Sequence, residues 1–400
     1  MKKILIITDA LTRPLYNVRT KFLCDTLIKQ GVEVTWITEK YQQIPFNINC
    51  NFIQIPFYKR SGITRKVEWL IKSTLSVLFD YKNNYFTRKI LSVTKREKYD
   101  IVLCSTFHTF GLKSAYTVAK NKNIPLHIDL RDIAEQCNAN IYSTKLAQHN
   151  IIGNLYRKIN IIRRNNILKK ADSISSVSEW HVNFLKQINT NSILIYNGFD
   201  KEIFRFSPQK TDFFDIVYTG RWYGHIMQDP TLIFSALQDI ISNKLIPSNI
   251  LRIVWYTNTD MHRALLEYAK KFNLQNNIIV HEYVDRALIP SILLDSSICL
   301  VLSSNDTQGI MTTKVYEALG CEKPILCTNC SNGELYNLIM NTHSGLATTS
   351  KNETRNFITS QYSVWQKSHY THAESNNTEF YSRQYQTSLL IEHLKSLCTK

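Results

Sequence analysis

Short apolar runs alternate along the chain with longer stretches in which apolar side chains return every three or four positions. Ile4–Ile7, Val32–Ile37, Phe52–Phe57, Ile101–Cys104, Leu126–Leu130, Ser173–Val177 and Ile193–Tyr196 read as strands. Residues 17–30 read as a helix, with Val18, Phe22, Leu23 and Leu27 near helical spacing and Gly31 as a C-terminal cap. Further helices are expected over 60–98, 110–121, 145–170 and 179–187. After Gly198 the pattern changes: charges, Pro208 and no clear period. The alternation then restarts, with strands at Ile216–Tyr218, Ile253–Tyr256, Ile278–His281, Ile298–Leu302 and Ile325–Cys327. Helices are expected near 230–243, 260–272, 286–294, 312–320 and 333–340. Residues 366–379 are polar and irregular, and 380–397 returns to a helical pattern.

Strand–helix alternation of this kind specifies parallel sheets with helices on both faces. The fold expected is α/β, with two Rossmann-like doubly wound domains facing across a cleft. The first domain is expected over 1–198, a linker over 199–213, the second domain over 214–379, and a terminal helix over 380–400 that packs back on the first domain. Ligands of such sheets sit beyond the carboxyl ends of the strands, so the residues just after each strand are the ones to read for chemistry.

Composition sharpens this picture in two respects. The chain of 400 residues is 44% hydrophobic and 20% charged, an ordinary globular balance that excludes disorder for most of its length. Its net charge of +16 is unevenly placed: residues 1–180 hold 29 Lys+Arg and 13 Asp+Glu, so the whole excess lies there. An anionic partner for that half follows: membrane surface, nucleic acid or a phosphorylated substrate. No secretory signal or transmembrane run is read, and the nine cysteines are taken as free thiols in a reducing cytoplasm. No metal is expected, since Cys327 and Cys330 form a lone C-x-x-C without further ligands at regular spacing.

The densest local signal runs from Gly309 through Thr312, Thr313, Lys314 and Glu317 to Gly320. It reads as a loop, a helix start and a turn into a buried strand. Thr312 and Thr313 suit a helix N-terminus, whose free amides and positive dipole end favour a diphosphate. Lys314 adds a cation, and Glu317, three residues on, could accept two ribose hydroxyls. Alone, the segment reads equally well as a capped helix with a surface Lys–Glu pair. Arg221 follows a strand and Gly220, and its forked donors suit phosphate, although a strand-end arginine can be merely structural. Asp129, Arg131 and Asp132 end another strand, either as an ion-pair cluster fixing the loop or with Arg131 and Asp132 against substrate. His108 follows a strand and could hydrogen-bond an acceptor. Residues 59–98 mix Arg65, Lys66, Lys72, Arg88 and Lys89 with Trp69, Phe79, Tyr81, Tyr85 and Phe86; such mixtures lie well in a lipid interface, the alternative being a solvated basic face.

Taken in order, these stretches resemble the family-4-type retaining glycosyltransferases of the GT-B fold, in the branch used for bacterial polysaccharide assembly. Val217-Tyr218-Thr219-Gly220-Arg221-Trp222-Tyr223 with Asp229-Pro230, Asp129-Leu130-Arg131-Asp132, and Tyr196-Asn197-Gly198-Phe199-Asp200 carry the resemblance beside the 309–326 segment. It implies a retaining transfer of a sugar from a nucleotide-diphosphate donor to a saccharide acceptor, lipid-linked, in surface polysaccharide synthesis. The donor would be held by Arg221, Lys314, Glu317, Thr312, Thr313, Gly309 and Tyr283. Catalysis would involve Arg131, Asp132 and His108, with no metal and no cofactor other than the donor. Partners would be the donor, the acceptor and an anionic membrane surface met by 59–98, and not nucleic acid. The protein would lie peripherally on the inner face of the cytoplasmic membrane. Three departures bear on activity. Gly309 stands where many members carry Glu, the Gly-Gly loop after the first strand is absent, and the loop after Arg221 carries His225, Met227 and Gln228 instead of a Lys. A nucleotide-sugar 2-epimerase and an inactive scaffold homologue are the alternative readings.

Overall fold

The computed structural model describes residues 1–9, 18–40, 47–59, 62–107, 109–133, 135, 151–303 and 310–399. The chain divides into two compact units, Met1–Tyr196 with Thr387–Lys400, and Asn197–Gln386. Each is built on one parallel sheet, as the alternation of short apolar runs with amphipathic stretches requires.

In unit 1 the elements are β1 (Lys3–Thr8), α1 (Val18–Lys29), β2 (Glu33–Lys40), β3 (Asn51–Pro56), α2 (Gly62–Phe79), α3 (Tyr81–Thr94), β4 (Ile101–Thr106), α4 (Leu112–Lys122), β5 (Leu126–Leu130), α5 (Ile151–Leu168), β6 (Ser173–Ser176), α6 (Glu179–Lys186) and β7 (Ser192–Leu194). The sheet order is β3-β2-β1-β4-β5-β6-β7, so the order reverses between β1 and β4. Ile4, Leu5, Ile6 and Ile7 of β1 are all inaccessible to solvent, because both sheet faces are covered. The helical stretch expected over 60–98 is two helices. They break at Asp80, which takes a left-handed φ of 55° and accepts hydrogen bonds from Asn83 and Lys113.

Unit 2 contains β8 (Phe214–Thr219), α7 (Thr231–Ser242), β9 (Leu251–Tyr256), α8 (His262–Lys270), β10 (Ile278–His281), α9 (Ile289–Asp295), β11 (Ile298–Leu302), α10 (Thr313–Gly320), β12 (Ile325–Thr328), α11 (Gly333–Asn341), β13 (Gly345–Thr348) and α12 (Lys351–Ser368). Its sheet order is β10-β9-β8-β11-β12-β13, reversing between β8 and β11. Helix α13 (Arg383–Leu397) carries the chain across the division, and its Leu390, Ile391, Leu394 and Leu397 pack with Ile4, Ile6, Leu23 and Leu27 of unit 1. Residues 199–213, expected as a linker, fall in unit 2, where Phe199 and Phe204 are buried against Gly320.

The last strand and helix of unit 2 carry no sequence expectation, yet their chemistry is explicit. Helix α12 buries Thr354, Ile358, Tyr362 and Trp365 at helical spacing, and Ser350 caps it by accepting the Glu353 amide at 3.3 Å. In β13, Gly345 lies against Ile325 of β12 so closely that a Cβ would stand 1.9 Å from the Ile325 carbonyl oxygen. Backbone cannot yield as a flexible side chain does. Gly345→Ala is therefore expected to destabilise unit 2 by about 3 kcal/mol, the upper end for forced overpacking. Urea unfolding followed by tryptophan fluorescence checks this, and an unchanged midpoint would refute the register.

Candidate functional site

The site expected in unit 2 forms where the strand order reverses, at the carboxyl ends of β8 and β11. There an open sheet leaves a crevice that no crossover helix fills. Strand β8 delivers Gly220 and Arg221, and the loop after β11 returns into α10 with Thr312, Thr313, Lys314 and Glu317. Gly220 adopts a φ of 102°, and a Cβ there would meet the Lys314 Cε at 2.8 Å. Glycine is thus what lets the lysine stem lie across the end of β8. The Lys314 Nζ stands 3.7 Å from the centre of the Tyr218 ring, and burial pushes its pKa down to about 7, against the opposing pull of Glu317.

Glu317 is the more unusual group. Its side chain is only 13% exposed, and burial raises its pKa despite the nearby charges of Arg286, Arg383 and Lys314. The nearest of them, the Arg286 Nη2, lies 3.6 Å from Oε1, and no described residue donates a hydrogen bond to this carboxylate. A desolvated acceptor without donors is costly unless something supplies them. Thr312 holds the N-cap position of α10 in extended conformation but makes no side-chain capping bond, so the first amides of the helix are not satisfied from the cap.

The remaining expectations divide. Tyr283 lies beyond β10, exposed, with its phenol near enough to Tyr218 to influence it. Arg221 is exposed, its guanidinium 5.3 Å from the Tyr223 ring centre, and its carbonyl accepts from the Tyr218 hydroxyl at 2.8 Å. The following loop supplies no cation. His225 stacks on Tyr268, and Gln228 ties the Tyr223 amide to the Tyr218 hydroxyl. Gly309 and His108 lie outside the described residues. In unit 1, Asp129 is structural: it accepts from Arg19 at 3.2 Å, Ser105 at 2.9 Å and Ser175 at 2.8 Å. Arg131 is buried with its guanidinium 3.8 Å from the Phe107 ring centre, whereas Asp132 is exposed.

Sequence reading missed Arg286 and Arg383. The signal for Arg286 was Asp285, placed just after a strand. Its carboxylate accepts the Ala287 amide at 2.8 Å and starts the short helical turn that presents the arginine. The environment of Lys314 yields a direct test. After reductive methylation with labelled formaldehyde, one dimethyl-lysine resonance should titrate near pH 7, about three units below an ordinary lysine. It should vanish in Lys314→Arg. If every lysine titrates near its usual value, the burial of Lys314 is refuted.

Residues 200–355 match the family model described as Glycosyl transferases group 1. No sequence among the curated proteins matches the chain. Among solved structures, sucrose-phosphate synthase from Thermosynechococcus elongatus superposes with a TM-score of 0.67 at 13% identity, covering 99% of both chains. Anabaena HepE, solved in complex with UDP and glucose, gives 0.64 at 13% identity over 99% of this chain and 100% of its own. A putative UDP-N-acetylglucosamine 2-epimerase from Listeria monocytogenes gives 0.56 at 14% identity, over 98% and 96%. Residues 200–355 thus resemble a glycosyl transferases group 1 domain, and the two parallel-sheet units have the two-domain Rossmann-like fold of these GT-B neighbours.

Proposed function

We propose that the protein is a retaining glycosyltransferase that moves a sugar from a nucleotide-diphosphate donor to a lipid-linked saccharide acceptor in surface polysaccharide synthesis, needing no cofactor beyond the donor. The observation that carries the donor assignment is the Glu317 carboxylate, buried, without a hydrogen-bond donor among the described residues, and on the same helix as Lys314 at a sheet reversal. Two vicinal ribose hydroxyls would supply the missing donors. The diphosphate would then lie toward Lys314, the N-terminal amides of α10 and Arg221, and Tyr283 would stand on the base side. Negative charge grows on the leaving diphosphate in the transition state, so cations and amides fixed there lower the barrier. Arg131, Asp132 and His108 of unit 1 would act on the acceptor side. Uridine is the first base to test, since HepE was solved with UDP.

A thermal-shift screen of UDP-, dTDP- and GDP-sugars decides the reading. A donor present at 100 times its Kd should stabilise the fold by about 2.7 kcal/mol. Glu317→Gln should weaken that binding by about 1.5–3 kcal/mol with folding little changed. Because a bound diphosphate favours the charged form of Lys314, binding should take up a proton above pH 7, and affinity should fall by up to about tenfold per pH unit as pH rises from there. No stabilisation by any nucleotide-sugar, or equal affinity in Glu317→Gln, would overturn the reading. Since 2-epimerases share the fold, an incubation without acceptor completes the test. Epimerised donor would assign the site to that chemistry instead.

The membrane surface is proposed as the partner of residues 59–98. Helix α2 buries none of its side chains and leaves Ile63, Val67, Leu70, Ile71 and Leu78 exposed along one face; Arg65 and Lys66 of the same helix are exposed as well. Among the described residues no helix is long and apolar enough to cross a membrane. Lys72 leaves the set of lipid-facing cations expected from sequence. It pairs with Glu68 at 2.7 Å, also donates to the Phe57 carbonyl, and lies 4.8 Å from the Phe57 ring centre. Arg65, Lys66, Arg88 and Lys89 are exposed, and each is expected to contribute about 1 kcal/mol at an anionic surface. The four-fold Gln variant should therefore leave anionic vesicles while still binding donor. Co-sedimentation with phosphatidylglycerol and phosphatidylcholine vesicles at low and high salt reads this, and a variant that sediments like wild type would refute it.

A further inference from the structure

Two of the free thiols meet in unit 1. Cys24 stands on the buried face of α1 with Thr20, Leu23 and Leu27. Cys50 precedes β3, the edge strand of the sheet, and packs against the apolar cluster that contains Cys24. The Cys24 thiol donates a hydrogen bond to the Cys50 sulfur, to which the Trp36 amide of β2 also donates. Helix, inner strand and edge strand thus place two sulfurs in contact.

The two thiols are not equivalent. Its hydrogen bond to Cys50, burial and the Asp25 carboxylate hold the Cys24 thiol well above the usual range. Cys50 is only half-buried, and the Cys24 thiol and the Trp36 amide pull it down, against its partial burial and Asp25. Oxidants are attacked by the thiolate and not by the thiol. The reachable sulfur is therefore the nucleophile, and a proton-bearing partner stands behind it, which is the arrangement of an attacking and a resolving cysteine. The C-x-x-C pair at the end of β12 offers a contrast. Cys327 and Cys330 share the same kind of hydrogen bond, but Cys327 is wholly inaccessible to solvent and Cys330 is 4% exposed.

We propose that Cys50 and Cys24 form a reversible disulfide, a redox-modification site of unit 1 with hydrogen peroxide as oxidant and a small dithiol as reductant. The Cys50 thiolate attacks one peroxide oxygen; the O–O bond breaks and hydroxide leaves, protonated by solvent to water. Cys50 is then a sulfenic acid. The Cys24 sulfur attacks the Cys50 sulfur; the S–S bond forms, the S–O bond breaks, and the departing hydroxide takes the Cys24 proton as a second water. Two thiols and one peroxide become one disulfide and two waters. The dithiol reverses this by two exchange steps and is itself oxidised to a disulfide. In a reducing compartment such a bond is transient, and while it lasts it ties α1 to the edge of the sheet. Nothing in this chemistry depends on glycosyl transfer.

The test uses the full chain with its nine cysteines reduced. After a stoichiometric dose of hydrogen peroxide, free thiols are counted in denaturant and unreduced peptides are mapped by mass spectrometry. Seven thiols should remain, nine less the two that pair, with a cross-linked Cys24–Cys50 peptide, and dithiothreitol should restore nine. Cys24→Ala should stop at the sulfenic acid of Cys50, trapped by dimedone, whereas Cys50→Ser should leave Cys24 unlabelled. If either variant fails to fold, the wild-type peptide map decides alone. No loss of thiols, a disulfide at Cys327–Cys330 or elsewhere in place of Cys24–Cys50, or equal dimedone labelling of Cys24 and Cys50 in the two variants would overturn the proposal.

Discussion

The reversal of strand order is the constraint on which both units depend. A right-handed crossover lays each helix over its own side of the sheet, so where the order turns, neighbouring helices depart in opposite directions and the strand ends stay open. Backbone groups and short side chains at that opening cannot be covered by a crossover helix. In unit 2 the opening receives Gly220, Arg221 and the start of α10; in unit 1 it receives Asp9, Thr106 and Phe107. Among the described residues, polar side chains from separate elements meet at both places.

What the two openings hold differs in kind. Unit 2 presents a desolvated ammonium and a desolvated carboxylate three residues apart on one helix, neither neutralised by a close hydrogen-bonded partner among the described residues. Such an arrangement stores unfavourable solvation that a dianionic ligand with vicinal hydroxyls would relieve on both groups together. In unit 1 the charges are already paired, through Arg19 with Asp129 and Lys82 with Glu39, so little electrostatic energy waits to be released.

Most of the strand–helix order was legible because parallel strands buried on both faces write continuous apolar runs, as at Ile4–Ile7 and Ile298–Leu302. What escaped notice was written in a different alphabet. Strand β13 is Gly-Leu-Ala-Thr, too short and small to stand out, and α12 is polar apart from its buried stripe, although Ser350 and Glu353 spell a capping box. The break between α2 and α3 needed the left-handed conformation of Asp80, which no hydrophobic period encodes. At the site, Gly220, Arg221, Lys314 and Glu317 could be read because they lie in compact motifs. Arg286 could not, since its relation to Glu317 joins residues from separate loops, and Asp9 looked only like the end of a strand.

Charge shows most plainly why composition needs a structure behind it. The excess of residues 1–180 suggested an anionic partner for that half, yet Lys72, Lys82 and Lys113 spend their charge within the unit, on Glu68, Glu39 and Asp80. Each of these pairs braces α2, α3 or α4 rather than facing outward. Of the cations that remain exposed, Arg65, Lys66, Arg88, Lys89, Lys95 and Arg96 lie on α2 and α3 and just beyond them, while others, among them Lys2, Lys29, Lys40, Lys120, Lys158, Lys169 and Lys170, lie elsewhere on the unit. Helix α2 also carries a stripe of unburied Ile, Val and Leu. A purely electrostatic partner would have no use for that stripe, and a purely apolar one would be repelled by the cost of stripping water from the cations. The membrane surface we propose as partner, charged at its surface and hydrocarbon beneath, would satisfy both at once, with the aliphatic stems of Arg and Lys spanning the boundary between them.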